Sequence, residues 1–403
     1  MPEPSHSGDI GLNEKGFSVT GTSVSSLRDD FLLDPTVTFL NHGSFGACPR
    51  PVFEEYQRWQ REMEYQPVEF VQRRLPGLMA DARAELGEYL NVSSDDLVYV
   101  PNATHGLNII AKSLPLEAGD EILTTNHEYG ALDLTWEFYC SKSGAVYRRL
   151  PIPVPMTTPE AFVDYFWSGV TARTRIIYLS HITSPTALIF PVKEICRKAR
   201  AAGILTVIDG AHAISQLSID LENLGADIYT GNNHKWLCAP KGSGFLYVHP
   251  DHQDWVEANI VSWGWAEPST FVSRNEYQGT RDMAPFLATP AAIKYQQEHD
   301  WPAQRARCHS LAQKAREQIA DLWDVPPFSP DEPDVWFSQL VSCPLPNIDI
   351  AAAKTRLYDE FRIEVPFIDW NGMKGVRVSF QAYNDENDLD RLIEGLKAVV
   401  NPQ

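Results

Sequence analysis

The sequence predicts an α/β protein: a large domain with a mainly parallel seven-stranded sheet between helices, then a smaller C-terminal α/β domain. Three observations lead there. Seven short apolar runs, 97–100, 121–124, 145–149, 175–179, 205–208, 227–230 and 244–248, alternate with stretches of helical period, the pattern of a parallel sheet covered on both faces. The chain has 403 residues, 43% of them hydrophobic, which fits two domains of roughly 100–200 residues each. The residues of unusual chemistry gather just past the ends of the apolar runs, where such sheets bind ligands.

Taken in order, residues 1–27 are rich in Ser, Gly, Thr and Glu without periodicity and read as a loosely held tail. Ordered structure is expected from about Leu27, reaching the turn Asn41-His42-Gly43-Ser44-Phe45-Gly46. A long helical pattern covers 51–90, with an interruption at Leu75-Pro76-Gly77. The helix expected over 192–202 turns Lys193, Arg197, Lys198 and Arg200 to one side and its apolar residues to the other. A second region follows Gly279-Thr280-Arg281-Asp282. It holds helices near 290–300 and 303–322, strands near 336–343 and 376–379, and a last helix over 386–399 capped by Asn384 or Asp385. The expected division is therefore a tail 1–27, a large domain 28–289 whose segment 28–50 contributes to the site, and a small domain 290–403.

Composition narrows the partners. With 34 Lys and Arg against 53 Asp and Glu, the formal charge is −19, so there is no electrostatic footprint for nucleic acid or an anionic membrane. Cys48, Cys140, Cys196, Cys238, Cys308 and Cys343 are scattered without a CxxC pair or zinc-like spacing, so neither a disulfide framework nor a metal site is expected. No basic stretch followed by an apolar one opens the chain, and no apolar run approaches the roughly 20 residues that span a bilayer. A cytoplasmic protein is the expectation.

The decisive segment is Gly231-Asn232-Asn233-His234-Lys235-Trp236-Leu237, just past the run at 227–230. A lysine desolvated at a sheet edge has a lowered pKa, and its free amine can form an imine. An isolated His-Lys pair reads as surface; the apolar residues after it and the Gly-Ser-Gly turn place this one in a buried context. Val207-Ile208-Asp209-Gly210-Ala211-His212 puts an aspartate at the carboxyl end of a buried run. Asp209 suits either the carboxylate that keeps the ring nitrogen of pyridoxal phosphate protonated or the N-cap of a following helix. His212 is placed to meet the ring hydroxyl. In Val100-Pro101-Asn102-Ala103-Thr104-His105 a strand end runs into a helix start, an anion site to which the Thr104 hydroxyl adds a donor. Tyr129 either stacks on the cofactor ring or is a core tyrosine. Arg377 either clamps a substrate carboxylate or makes a surface ion pair. Trp263, Trp265, Tyr383 and the segment 367–370 suit a distal pocket, a core or a subunit interface equally.

Together, Phe39-Leu40-Asn41-His42-Gly43-Ser44-Phe45-Gly46, Asp209-Gly210-Ala211-His212, His234-Lys235-Trp236-Leu237 and Gly279-Thr280-Arg281-Asp282 resemble the class V aminotransferase family of fold type I, in its isopenicillin N epimerase-like branch. The resemblance runs from about Asp29 to Val400. It implies pyridoxal 5′-phosphate held by Lys235 as a Schiff base, with Asp209 on the ring nitrogen and Ala103, Thr104, Asn232 and His234 around the phosphate. It implies that Thr280 reaches the phosphate of a neighbouring subunit, hence a homodimer with shared sites. Tyr129 stands where desulfurases of the family place a stacking histidine, Ser184 where they place an asparagine, and His212 replaces their glutamine. Lys235, Asp209, Tyr129 and His212 are the expected catalytic residues, and Arg377, Asn41 and His42 the expected substrate-binding ones. The loop 325–335 holds no cysteine where desulfurases carry their nucleophile, which disfavours persulfide chemistry. The leading expectation is epimerisation of an amino acid, with Tyr129 or His42 as the second acid/base. The alternatives are a C–S β-lyase acting on a cysteine conjugate or sulfoxide, an aminotransferase, and a non-catalytic binding relative, which would have no need of Lys235, Asp209 and Arg377.

Overall fold

The computed structural model describes residues 25–155, 157–330 and 333–400. Its strands are β1 (Thr38–Phe39), β2 (Leu97–Val100), β3 (Glu121–Thr125), β4 (Val146–Leu150), β5 (Thr174–Ser180), β6 (Leu205–Asp209), β7 (Ile228–Gly231), β8 (Gly244–Val248), β9 (Leu340–Leu345), β10 (Ile363–Glu364), β11 (Phe367–Trp370) and β12 (Met373–Ser379). Seven of them form one sheet in the order β2-β8-β7-β6-β5-β3-β4. Only β8 runs against its neighbours, so the mainly parallel sheet expected from the seven apolar runs is the one observed.

Alternation along the strands divides the core. Leu97 and Tyr99 pack on one face with the helix Leu75–Leu90, while Val98 and Val100 pack on the other with Leu107, Ile109 and Trp136. Strand β4 is the half-exposed edge, and Arg148 and Arg149 blunt it with charge. From β3 the chain crosses outward to β4 and then returns past β3 to β5. This reversal opens a crevice at the carboxyl ends of β3 and β5. The strand ends Thr125, Ser180, Asp209 and Gly231 all face that side, with Ser180, Asp209 and Thr230 level in register.

A second sheet, β11-β12-β9, is antiparallel and is backed by the helix Trp301–Trp323. The last helix, Glu386–Val399, is capped by Asp385, whose carboxylate accepts from the Asn387 and Asp388 N–H groups.

Three expectations are amended. The break in the long N-terminal helix falls at Gln66, between the helices Arg50–Tyr65 and Pro67–Glu69, and not at 75–77. Gln66 precedes a proline, which disfavours the helical region there. Pro76 instead comes just after a π-helical turn, Phe70–Arg74, that runs without a gap into Leu75–Leu90 and accommodates the missing N–H. Trp336 lies in the helical turn Pro333–Trp336, and the strand begins at Leu340. Residues 25–27, expected in the tail, are held. Residues 1–24 lie outside the described residues, but the Ser25 carbonyl accepts from Gln304, the Ser26 hydroxyl donates to the Tyr383 carbonyl, and the Leu27 N–H donates to that of Ala382.

The segment after it is hydrogen-bonded to the C-terminal part of the chain. Strand β1 pairs with β10, and the Gly43 N–H donates to Ser379 Oγ at 3.1 Å. Segment 28–50 thereby joins the second sheet to the crevice of the first. Gly46 makes the junction. It has φ 69° and ψ 166°, a region essentially restricted to glycine, and a Cβ there would lie 1.9 Å from the His234 carbonyl oxygen. Gly46→Ala should therefore cost about 3 kcal/mol, from strain plus overpacking. Urea denaturation reads the loss, and an unchanged midpoint would show that the contact is not made.

Candidate active site

The loop between β7 and β8 carries Lys235 with its side chain turned into the crevice. Lys235 Nζ lies 3.2 Å from His212 Nε2, and the indole Nε1–H of Trp236 meets His212 Nδ1 at 3.3 Å. An indole N–H only donates, so Nδ1 must accept and the neutral ring carries its proton on Nε2. Nε2–H in turn can only donate, which requires a lone pair on Lys235. The geometry therefore calls for the free amine. Burial is the largest influence on this lysine, with the Arg377 charge acting in the same direction and Asp209 opposing, and together they bring its pKa down to about 7. Burial also holds His212 well below its ordinary value.

Asp209 ends β6 and is buried. One carboxylate oxygen accepts from the Ala211 N–H at 2.9 Å, and the other lies 3.4 Å from the Tyr178 hydroxyl. No helix follows it: residues 210–217 form turns, so the N-cap role is not the one realised. Desolvation raises its pKa, and the Ala211 bond and Lys235 oppose the rise. This carboxylate has few donors of its own and room to accept another.

At the third corner the helix Ala103–Ser113 points its N-terminus at the same space. Asn102 caps it, accepting from the His105 N–H at 2.9 Å. Asn232 Oδ1 takes the Ala103 N–H at 2.9 Å, which turns its amide NH2 outward. The Thr104 N–H belongs to the first turn and has no partner within the helix. His234 Nδ1 lies 2.8 Å from the Ser243 carbonyl, so that nitrogen holds the proton. Burial brings the His234 pKa to about 4, and an anion at Nε2 would draw in the second proton. Donors and helix dipole together suit a phosphate.

Arg377, on β12, reaches in from the second sheet and is buried. Its Nη1 donates to the Ser184 carbonyl and hydroxyl at 2.8 and 3.0 Å, and its Nη2 to Ser44 Oγ at 3.2 Å. Its Nε is buried without a partner. No carboxylate pairs with it among the described residues, and burial brings its pKa down to about 10. A buried guanidinium with a donor left unpaired and no carboxylate beside it suits a carboxylate that arrives from outside.

Ala103, Thr104, Tyr129, Ser184, Asp209, His212, Asn232, His234 and Lys235 line one cavity of about 290 Å³. None of the three expected substrate contacts does; Arg377 meets the cavity only through Ser44 and Ser184, which line it. His42 is fully buried behind it, with Nε2 at 2.9 Å from the Lys235 carbonyl and Nδ1 at 3.0 Å from the Tyr383 hydroxyl. Both ring nitrogens are engaged, and burial holds its pKa to about 3. Asn41 donates to Glu364 and accepts from the Ser44 hydroxyl, so it reaches the site only through Ser44. Thr280 is exposed and outside the cavity of its own chain. Of the proposed distal aromatics, Trp263 is exposed, Tyr383 is buried, and the Trp370 indole is spent on the Asn126 carbonyl; none lines the cavity. Its distal wall is made by Phe45, Leu132 and Ile182 instead. Ser44 and Phe45 were visible only as part of a turn motif, and Leu132 and Ile182 carried no signal beyond being apolar.

Comparison with known proteins shows the family. The aminotransferase class-V family profile matches residues 48–392. A protein named isopenicillin N epimerase from Amycolatopsis lactamdurans is 36% identical over 94% of this chain and 99% of that one. A probable chloroplastic L-cysteine desulfhydrase from Arabidopsis thaliana is 27% identical over 94% of this chain and 86% of that one. A solved structure of a C-DES variant with glycine covalently linked to its PLP cofactor has a TM-score of 0.79 at 21% identity, covering 90% of this chain and 96% of that one. At that identity the likeness shows the fold. The chain belongs to the class V aminotransferase family.

The lone pair on Lys235 can be measured directly. Trapping by a small aldehyde and borohydride, read by peptide mass spectrometry, should rise with pH and be half-maximal near pH 7, because only the neutral amine reacts and its pKa is about 7. A midpoint near the ordinary lysine value would show that Lys235 is protonated in the fold.

Proposed function

We propose that this protein is a pyridoxal-phosphate enzyme that inverts the α-carbon of an amino-acid substrate. The observation that carries the reading is one cavity lined by a buried amine and a phenol, Lys235 and Tyr129, with the Arg377 guanidinium held directly behind two other lining residues, Ser44 and Ser184. The 36% identity to a protein named isopenicillin N epimerase supports the reaction type.

The residues fit the cofactor. Lys235 would hold it covalently at Nζ, Asp209 would accept from its ring nitrogen, and Ala103, Thr104, Asn232 and His234 would hold the phosphate. His212 and Ser184 would meet the ring substituents. Bound there, pyridoxal phosphate supplies an electron sink for the pair left when a Cα proton departs. Arg377 binds the substrate carboxylate, with Ser44 and Ser184 fixing the guanidinium. Lys235, once released, takes the Cα proton. Inversion requires a second group that returns a proton from the opposite side, and Tyr129 is that group. It is 47% exposed at the cavity mouth, whereas His42 has no free nitrogen.

Persulfide chemistry is not supported. None of the six cysteines lines the cavity, and burial raises the Cys343 thiol to about 12, far from the thiolate such a step needs. The exposed Thr280 supports the inference of a homodimer in which each subunit touches its partner's phosphate. The division into units 28–289 and 290–403 and a cytoplasmic location belong to the same proposal. No helix among the described residues is long and apolar enough to cross a membrane.

Proton NMR in D2O with a panel of amino acids and cysteine conjugates tests the reaction. Loss of the α-proton signal with the carbon skeleton intact, and an inverted product on a chiral column, is the expected result. Pyruvate and ammonia would make it a β-lyase, the activity suggested by the desulfhydrase relative, and a 2-oxo acid would make it an aminotransferase. Lys235→Ala should lose all turnover together with the visible absorbance of the bound cofactor. Tyr129→Phe should slow inversion by about 10²–10⁴-fold, the scale of one acid/base group, while α-proton exchange with retention persists. Unchanged inversion would remove Tyr129 from the mechanism.

A further inference from the structure

Behind Asp209 lies a second buried acid to which the reaction described above gives no role. Glu128 stands in the turn after β3 and is 5% exposed. Its Oε1 accepts from the Thr125 hydroxyl at 2.7 Å, and its Oε2 from both the N–H and the hydroxyl of Ser180, at 2.8 and 2.6 Å. Ser180 ends β5 directly opposite Asp209 in the register, and each of these two residues lines the cavity. Glu128 thus ties the ends of β3 and β5 together beside the end of β6, within reach of the Asp209 charge.

The surroundings of the two acids are short of positive charge. The hydrogen-bond partners of Glu128 and Asp209 are neutral hydroxyls and N–H groups. Tyr178 on β5 faces both acids, Tyr147 on β4 faces Glu128 and donates to Asp133, and Tyr229 on β7 faces Asp209. The cation whose charge acts on Asp209 is Lys235, which the site holds toward its neutral form. Two buried carboxylates without a counter-charge repel one another and cannot both ionise cheaply. A fold that spends three donors on holding the second one beside the first is arranged for a cation that arrives from outside.

We propose that Glu128 is a positioning residue for the cofactor, acting through Asp209 and Ser180 so that the incoming ring nitrogen binds in its protonated form. This rests on the pyridoxal-phosphate reading of the site. Glu128 touches neither the cofactor nor the substrate. Burial, with the Asp209 charge adding to it, raises the Glu128 pKa to about 7, so its full negative charge develops as a cationic ring nitrogen arrives. Glu128 also fixes the strand end against which the Asp209 carboxylate is aligned.

The test compares two ligands that differ only at the ring nitrogen. The full-length chain, freed of cofactor, is titrated by tryptophan fluorescence with pyridoxal phosphate and with its 1-deaza analogue, which has carbon in place of that nitrogen. Glu128→Gln should weaken pyridoxal phosphate by about tenfold, equivalent to one pKa unit of lost stabilisation of the protonated ring, and leave the analogue unchanged. Glu128→Asp, which keeps the charge, should retain most of the wild-type preference for pyridoxal phosphate and serves if the Gln variant does not fold. Equal weakening of both ligands in Glu128→Gln, no weakening of either, or loss of the preference in Glu128→Asp would overturn the proposal alone. Failure of the wild-type chain to bind pyridoxal phosphate would overturn the reading beneath it as well.

Discussion

The site depends on a chain of hydrogen bonds that ends in a lone pair. The Trp236 indole can only donate, which sets the tautomer of His212, and that tautomer sets Lys235 as a free amine. The arrangement holds only if the backbone of the 232–243 loop is immobile, and several otherwise unconnected features serve that end. His42 Nε2, facing a carbonyl that only accepts, donates to Lys235 O, and the Tyr383 hydroxyl donates to His42 Nδ1. The Gln296 side chain donates to the Trp236 carbonyl at 3.0 Å. Gly46 lets the N-terminal segment lie against the His234 carbonyl. His42 therefore acts on the chemistry by fixing the lysine's main chain, from behind the cavity.

Charge is separated across the cavity with little internal cancellation. Acidic groups lie behind one wall, at the ends of β3 and β6. The free edge of Arg377 lies at another, and the N-terminus of Ala103–Ser113 at a third. Each is desolvated, and each is left short of a partner of opposite charge by its own neighbours. Burying a charge without a partner is costly, so these polarities match a ligand with a cationic ring nitrogen, a phosphate and a carboxylate-bearing substrate. The same incomplete pairing lowers the pKa of Lys235, because the Arg377 charge adds to its desolvation.

The N-terminal segment couples the two sheets. Its strand β1 pairs with β10, and the Gly43 N–H rests on Ser379, two residues from Arg377 on β12. The Ser44 hydroxyl donates to Asn41 and uses a lone pair to accept from Arg377. Arg377, Ser44 and Asn41 are in this way parts of one hydrogen-bonded unit, although 333 residues separate the first two in sequence.

What the sequence by itself determined was local. The seven apolar runs lay within a residue or so of the observed strands, because continuous apolar sequence of that length is what a doubly covered sheet requires. Lys235, Asp209 and Thr104 stood out because each follows a strand end directly, and the parallel topology brings all such ends to one side. The breaks were less legible: Pro76 looked like an interruption but is absorbed by a π turn just before it, while Gln66 was marked only by the proline after it. Tertiary structure alone decided which groups are spent and which are free. Periodicity cannot show that both His42 nitrogens are consumed, that Asn41 stops at Ser44, or that Glu128 lies beside Asp209. Nor can it show that His212 takes its tautomer from an indole 24 residues away. Those facts depend on hydrogen-bond partners brought together by folding, and a proton's position is set by the partner that faces it in space.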